Sequence, residues 1–160
     1  MIDDVTLARA VHVIAVVFWM GGVAMVTTVL LPAVRRFKTP DERVIFFEAI
    51  EQRFARQSRL STLAAGLSGF YMIDRFDLWG RFASVAFWWM HAMTALWLIF
   101  TLMLFVLEPL FLHRWFRARA QVAPEATFRL MQGLHWFLLS LSIITIFGAT
   151  AGSHGFLLFG

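Results

Sequence analysis

Charged residues are missing from three long stretches of this chain. Ala10 to Val34, Phe82 to Leu107 and Leu130 to Gly160 contain no Asp, Glu, Lys or Arg. A helix needs roughly 20 mostly apolar residues to cross about 30 Å of hydrocarbon, so each stretch predicts a transmembrane helix. A fourth uncharged run, Leu60 to Ile73, has 14 residues and is short for a crossing. Helix formers extend it upstream from Asp41 without a breaker (Glu42, Glu48, Ala49, Glu51, Gln52, Arg53), and the stems of Arg56 and Arg59 can lie along the bilayer edge. The pattern predicts one long second helix over 41–73 whose first half projects from the membrane. Pro40, followed by Asp41 and Glu42, starts it; Pro124, followed by Glu125, starts the last helix.

The basic residues orient these helices. Arg9, Arg75 and Arg81 fall on one side of a four-span chain. Arg35, Arg36, Lys38, Arg43, Arg53, Arg56, Arg59, Arg114, Arg117, Arg119 and Arg129 fall on the other. Loops rich in Lys and Arg stay in the cytoplasm, which puts both termini outside. Trp79 on the outside, with Trp115 and Trp136 on the inside, sit where interfacial aromatic belts are expected. Asp3 and Asp4 stand where a cleaved signal would be basic, so the first span is expected to stay in the mature protein.

Composition agrees with the pattern. The chain has 160 residues, 60% of them hydrophobic and 15% charged. Its mean hydropathy is +0.73. Soluble domains are about 45–50% apolar and about 25% charged, which makes the bilayer the expected solvent. The net charge of +4 belongs to helix flanks, interleaved with Glu48, Glu51 and Glu125, and excludes nucleic acid as a partner. Zero Cys excludes disulfides, thiolate metal sites and covalent haem attachment. The expected fold is all-α: an integral membrane four-helix bundle, one domain over 1–160, with spans of about 7–34, 56–74, 82–112 and 128–152 and both termini periplasmic.

Ionisable groups inside a span are costly and are functional candidates by default. His12 and His91 fall in the outer half on different helices, and His135 falls in the inner half of the fourth. Two imidazoles on different helices at similar depth suit an iron porphyrin held edge-on between them. Trp19 and Gly22 follow His12 at offsets of seven and ten, and Gly21 and Gly22 leave room for a flat ring or a close helix. Arg9 and Arg81 lie toward the outer rim, where haem propionates would meet guanidinium groups. The alternatives for each His are an interhelical hydrogen bond or, with Met20, Met25, Met90 and Met93 nearby, a soft Cu(I) site. His113 and His154 are expected at the interfaces. Glu108, before Pro109, is the acid nearest a span interior.

The run His12-Val-Ile-Ala-Val-Val-Phe-Trp19-Met-Gly-Gly22 resembles the first-helix signature of a bacterial family of small four-helix membrane proteins. That family includes the haem-binding, HemJ-type protoporphyrinogen IX oxidases and, more distantly, membrane domains of the copper-resistance D type. Ile50-Glu51-Gln52-Arg53-Phe54 resembles the E-K-R-L segment entering its second helix, and Trp89-Met90-His91-Ala92 resembles its W-L-H-A motif. The resemblance covers roughly 5–112 and implies a b-type haem (haem b), His12 as ligand, His91 as the matching position on the third helix, and a bacterial inner (cytoplasmic) membrane. The family's Lys after W-L-H-A is Met93 here. Its R-x-x-N-E-x-P segment is replaced after Arg129 by Leu-Met-Gln-Gly-Leu-His135.

The sequence therefore reads as a divergent relative, a membrane cytochrome carrying electrons. His12 and His91 are expected as iron ligands, with Arg9, Trp19, Gly22, Arg81 and His135 around the cofactor. Expected partners are membrane lipid, a quinone or porphyrin, and a second copy of the chain or a redox protein. Porphyrinogen oxidation, copper handling and a cofactor-free structural role, using the apolar tail from Phe156, are the alternatives.

Overall fold

The computed structural model describes residues 3–36 and 39–156, without the side chains of Pro40, Asp41 and His113. Lys38, the His113 imidazole and the tail beyond Phe156 lie outside the described residues. Four long helices account for nearly everything else, and no strand occurs among the described residues. Helix α1 (Asp4–Met25) passes through a π-helical turn, Val26–Leu30, into Leu31–Val34. Asp3 caps its start by accepting from the Val5 N–H at 3.0 Å. Helix α2 (Pro40–Arg75) starts where Pro40 predicts. The Thr39 hydroxyl accepts from the Glu42 N–H and the Glu42 carboxylate accepts from the Thr39 N–H, a reciprocal capping box. Helix α3 (Trp88–Leu102) begins later than Phe82, because short 3-10 turns at Trp79–Ala83 and Val85–Phe87 precede it. It continues through π-helical Met103–Leu112 into His113–Val122. Helix α4 (Pro124–Ser153) starts at Pro124.

Both π-helical segments have the same cause. In a π register each N–H points to the carbonyl five residues back. Pro32 and Pro109 have no N–H to give, which leaves the carbonyls of Thr27 and Leu104 without their ladder partners. Side chains from other helices take their place. Gln132 Nε2 on α4 donates to the Thr27 carbonyl at 2.7 Å, and Arg59 Nε on α2 donates to the Leu104 carbonyl at 3.0 Å. Arg59 also donates to the Glu108 carboxylate at 3.1 Å. It turns inward between α2 and α3, where the sequence suggested a stem lying along the bilayer edge.

Helix α1 packs chiefly on α2 and α3 chiefly on α4, and the two pairs close on each other. One core joins Leu30, Leu31, Val34, Phe47, Phe116 and Phe128. The other joins Ala15, Trp19, Val23, Ala65, Leu96, Phe100 and Leu139. Ion pairs fix helix ends to one another: Asp4 with Arg75, Arg117 with Glu48, and Arg43 with Glu125. Each pair has at least one exposed partner, so these contacts set register more than stability.

Three stretches, Asp4–Val34, Val85–Leu112 and Pro124–Ser153, are long and apolar enough to cross a membrane. The apolar side chains on their outward faces, among them Val17, Phe18, Leu98, Phe137 and Phe147, are exposed, the inverse of a soluble helix and the pattern of a multi-pass membrane protein.

Candidate functional site

The inward face of α2 carries a stripe of small and polar residues at helical spacing: Glu51, Ala55, Ser58, Thr62, Ala65 and Gly69. Side chains this small keep the helices from filling the space between them. Two cavities, labelled by their place in the bundle, lie between the helices: an outer one toward the end where α1 begins and α2 ends, and an inner one toward the opposite end.

The outer cavity, about 730 Å³, lies within the roughly 300–1,000 Å³ range of small-molecule sites. Its walls include His12, Gly21, Gly66, Gly69, Met90 and Trp97, with Arg81 among the residues at its margin. The His12 Nδ1 lies 2.9 Å from the Ala65 carbonyl and 3.2 Å from the Ser68 hydroxyl. A carbonyl only accepts, so Nδ1 carries the proton of the neutral ring and Nε2 keeps the lone pair. Gly69 makes this seat possible: a Cβ there would stand 3.2 Å from the His12 Cε1. Gly66 does the same for Trp97, whose indole would be 2.2 Å from a Cβ and which donates to the Thr62 carbonyl at 2.9 Å.

The inner cavity, about 190 Å³, collects polar groups in an apolar shell. Glu51, Ser58, Glu108 and His135 line it, and Trp19 lines both cavities, forming a partition between them. Trp19 meets Phe100 edge to face at 5.0 Å. The His135 Nδ1 lies 2.9 Å from the Met131 carbonyl, so this ring too is held with its proton on Nδ1 and its lone pair on Nε2. Glu51 has its pKa pushed up to about 7, first by burial, then by the Glu108 and Glu48 carboxylates, with Arg59 opposing.

The structure separates the histidines that the sequence pairs. His91 is exposed, its Nε2 lies 2.9 Å from the Phe82 carbonyl, and it is not among the residues lining the cavity of His12. The α3 residues facing that cavity include its neighbours Trp89, Met90, Met93 and Thr94. Arg9 is exposed and stands away from the lining, whereas Arg81 reaches it with its guanidinium 4.8 Å over the Phe87 ring. Gly22 leaves room for a helix partner rather than a ligand: the Phe54 ring fills the space where its Cβ would be. Gly21 is the glycine of that pair which faces the cavity. His154 is exposed, with Nδ1 2.8 Å from the Thr150 carbonyl.

Ala65 and Ser68 as the partners of His12, and Glu51 and Ser58 as cavity residues, were not picked out from the sequence. The small-and-polar periodicity of α2 was the available signal. For a b-type haem, one wall of the outer cavity would offer an imidazole whose Nδ1 is fixed by a backbone carbonyl, as in metal-ligating histidines, and the open face of Gly21, where a Cβ would meet nothing within 4 Å. The opposite wall offers thioethers (Met90, Met93) in place of a second imidazole. No group of three or more His, Asp or Glu among the described residues is placed to hold a metal ion on its own. No family model, curated protein or solved structure matches this chain.

Proposed function

We propose that this chain is a membrane-embedded b-type haem protein of electron transfer, with the haem in the outer cavity and His12 Nε2 as iron ligand. The observation that carries it is the His12 imidazole held by the Ala65 carbonyl at 2.9 Å on the wall of a 730 Å³ apolar cavity. When bound, haem supplies a one-electron iron couple. The chain's own residues do the rest. Ala65 fixes the tautomer, Gly69 seats the ring, and Arg81 offers a guanidinium to carboxylates at the cavity margin. The apolar walls exclude water and favour the form of the site with the lower charge.

The reading includes a four-span bundle in a bacterial inner membrane, with both termini outside. Helix α2 supplies the fourth crossing. It runs beside α1, and its outward residues Leu60 and Leu67 are each 72% exposed, a lipid-facing edge. The 11-to-3 division of basic residues supports the orientation.

The test is a reduced-minus-oxidised absorption spectrum of protein purified from haem-replete cells. Sharp low-spin haem bands, lost in His12→Ala, are expected; a colourless preparation overturns the reading. A copper site is the second reading, because the thioethers of Met20, Met90 and Met93 line the cavity of His12. Stoichiometric copper without iron on metal analysis would favour it.

A further inference from the structure

The inner cavity has a chemistry of its own. Two of its lining side chains end in buried polar atoms without a hydrogen-bond partner among the described residues: Trp19 Nε1 and Ser58 Oγ. Trp19 is 5% exposed and Ser58 is 3% exposed, so bulk water does not satisfy them. A buried donor left unpaired is costly, and two of them belong to residues that line one small cavity. An indole N–H donates only, and a serine hydroxyl can donate. Their common complement is a molecule with acceptor oxygens.

The same wall carries the converse group. The His135 Nε2 lone pair accepts, since Nδ1–H is committed to the Met131 carbonyl. The remaining lining is mostly aliphatic and aromatic, and Leu134 (51% exposed) and Trp115 (42% exposed) belong both to the cavity and to the outer surface of the bundle. The cavity thus meets the outer surface of the bundle at these two residues.

We infer that the inner cavity binds the head group of a quinone-type lipid, with Trp19 Nε1–H and Ser58 Oγ–H donating to its ring oxygens and His135 Nε2 accepting from the hydroxyl of its reduced form. A flat, uncharged ring with two oxygen substituents matches a mainly aliphatic and aromatic lining in which Trp19, Ser58 and His135 supply the polar contacts. An anionic head group would set its ionic oxygens beside the Glu51 and Glu108 carboxylates that also line the cavity. The choice of a quinone over other carbonyl lipids rests on the reading of the chain as a membrane redox protein. The donor set itself does not depend on that reading. Trp19, shared by both cavities, then stands between the quinone and the outer site.

The test uses the full chain in lipid nanodiscs, titrated with a decyl-substituted benzoquinone and followed by calorimetry. Saturable one-to-one binding is expected. Ser58→Ala removes one donor with little change of shape, and Trp19→Phe removes the other together with one ring of the indole; each is expected to weaken binding by about fivefold, the equivalent of one neutral hydrogen bond. Either variant that remains folded by thermal melt suffices. Absence of saturable binding, or equal affinity in the wild type and the folded variants, overturns the inference and leaves the cavity as a water-filled polar pocket. Haem content is read separately from the absorption spectrum of the same samples. A colourless protein that binds the quinone with these variant effects overturns the haem reading and leaves this one standing.

Discussion

Arg59 reaches from α2 to the carbonyl of Leu104 at 3.0 Å, closing the hydrogen bond that Pro109 removes from the π-helical ladder of α3. Gln132 does the same for Thr27, five residues before Pro32. In the hydrocarbon of a bilayer no water replaces a missing backbone partner, so a proline within a span depends on a neighbouring helix to supply one. The two polar side chains lock α2 to α3 and α4 to α1 at the places where the ladders are incomplete.

Removing Arg59 leaves a backbone carbonyl without its donor and the Glu108 carboxylate without its guanidinium. Arg59→Met is expected to destabilise the protein by roughly 2–4 kcal/mol. Adding Pro109→Ala restores an N–H to the ladder and should recover part of that loss. Denaturation in detergent, run as a double-mutant cycle, checks the coupling; strict additivity would break the account.

Gln132→Leu is expected to cost less, about 1 kcal/mol, because the lost bond is neutral and the substitution also removes a buried Oε1 that has no partner among the described residues. Pro32→Ala should offset it. Thermal melts of the single and double variants decide the point.

Geometry also ranks the histidines. His12→Ala is expected to abolish the haem bands, whereas His91→Ala, an exposed ring outside the lining of the outer cavity, should retain them. Spectra of the two variants purified side by side give the answer, and equal loss in both would restore the pairing expected from sequence.

Glycine positions differ in a measurable way. A Cβ at Gly66 would overlap the Trp97 indole, so Gly66→Ala should cost roughly 1–3 kcal/mol and break the Trp97–Thr62 hydrogen bond. A Cβ at Gly21 meets nothing within 4 Å, and Gly21→Ala in mid-helix should be neutral or stabilise by up to about 1 kcal/mol. The change in tryptophan fluorescence between each variant and the wild type, together with the melting temperature, reports both.

Glu51 gives a pH dependence with a defined sign. Its folded pKa of about 7 lies above the ordinary value of 4.5. Between those two pH values the unfolded chain has released the proton while the folded chain keeps it, so stability falls as pH rises through the window and levels off above it. Glu51→Gln removes that slope. Melting temperatures of wild type and variant at pH 5, 6, 7 and 8 are expected to diverge progressively up to about pH 7 and then run parallel.

The chain's apolar runs were sufficient to predict three crossings, because the length of an uncharged helical stretch against the bilayer thickness is a local property. Pro40 and Pro124 marked helix starts for the same reason: a proline's missing N–H is harmless only in the first turn. What the linear pattern could not carry was which polar group meets which. His12 and His91 stand at similar depth in sequence, yet α3 turns Met90 and Met93 toward the cavity and leaves His91 outside its lining, with its ring against Phe82. Rotation of a helix about its axis is set by packing against its neighbours, and a change of one residue in register turns its face by about 100°. Arg59 carried the same ambiguity, since its length allows either the bilayer edge or the Leu104 carbonyl. Glu51, read from sequence as part of a projecting half-helix, becomes a cavity residue because α1 and α3 close over it. Local chemistry decided the helices; the long-range fit of their faces decided the site.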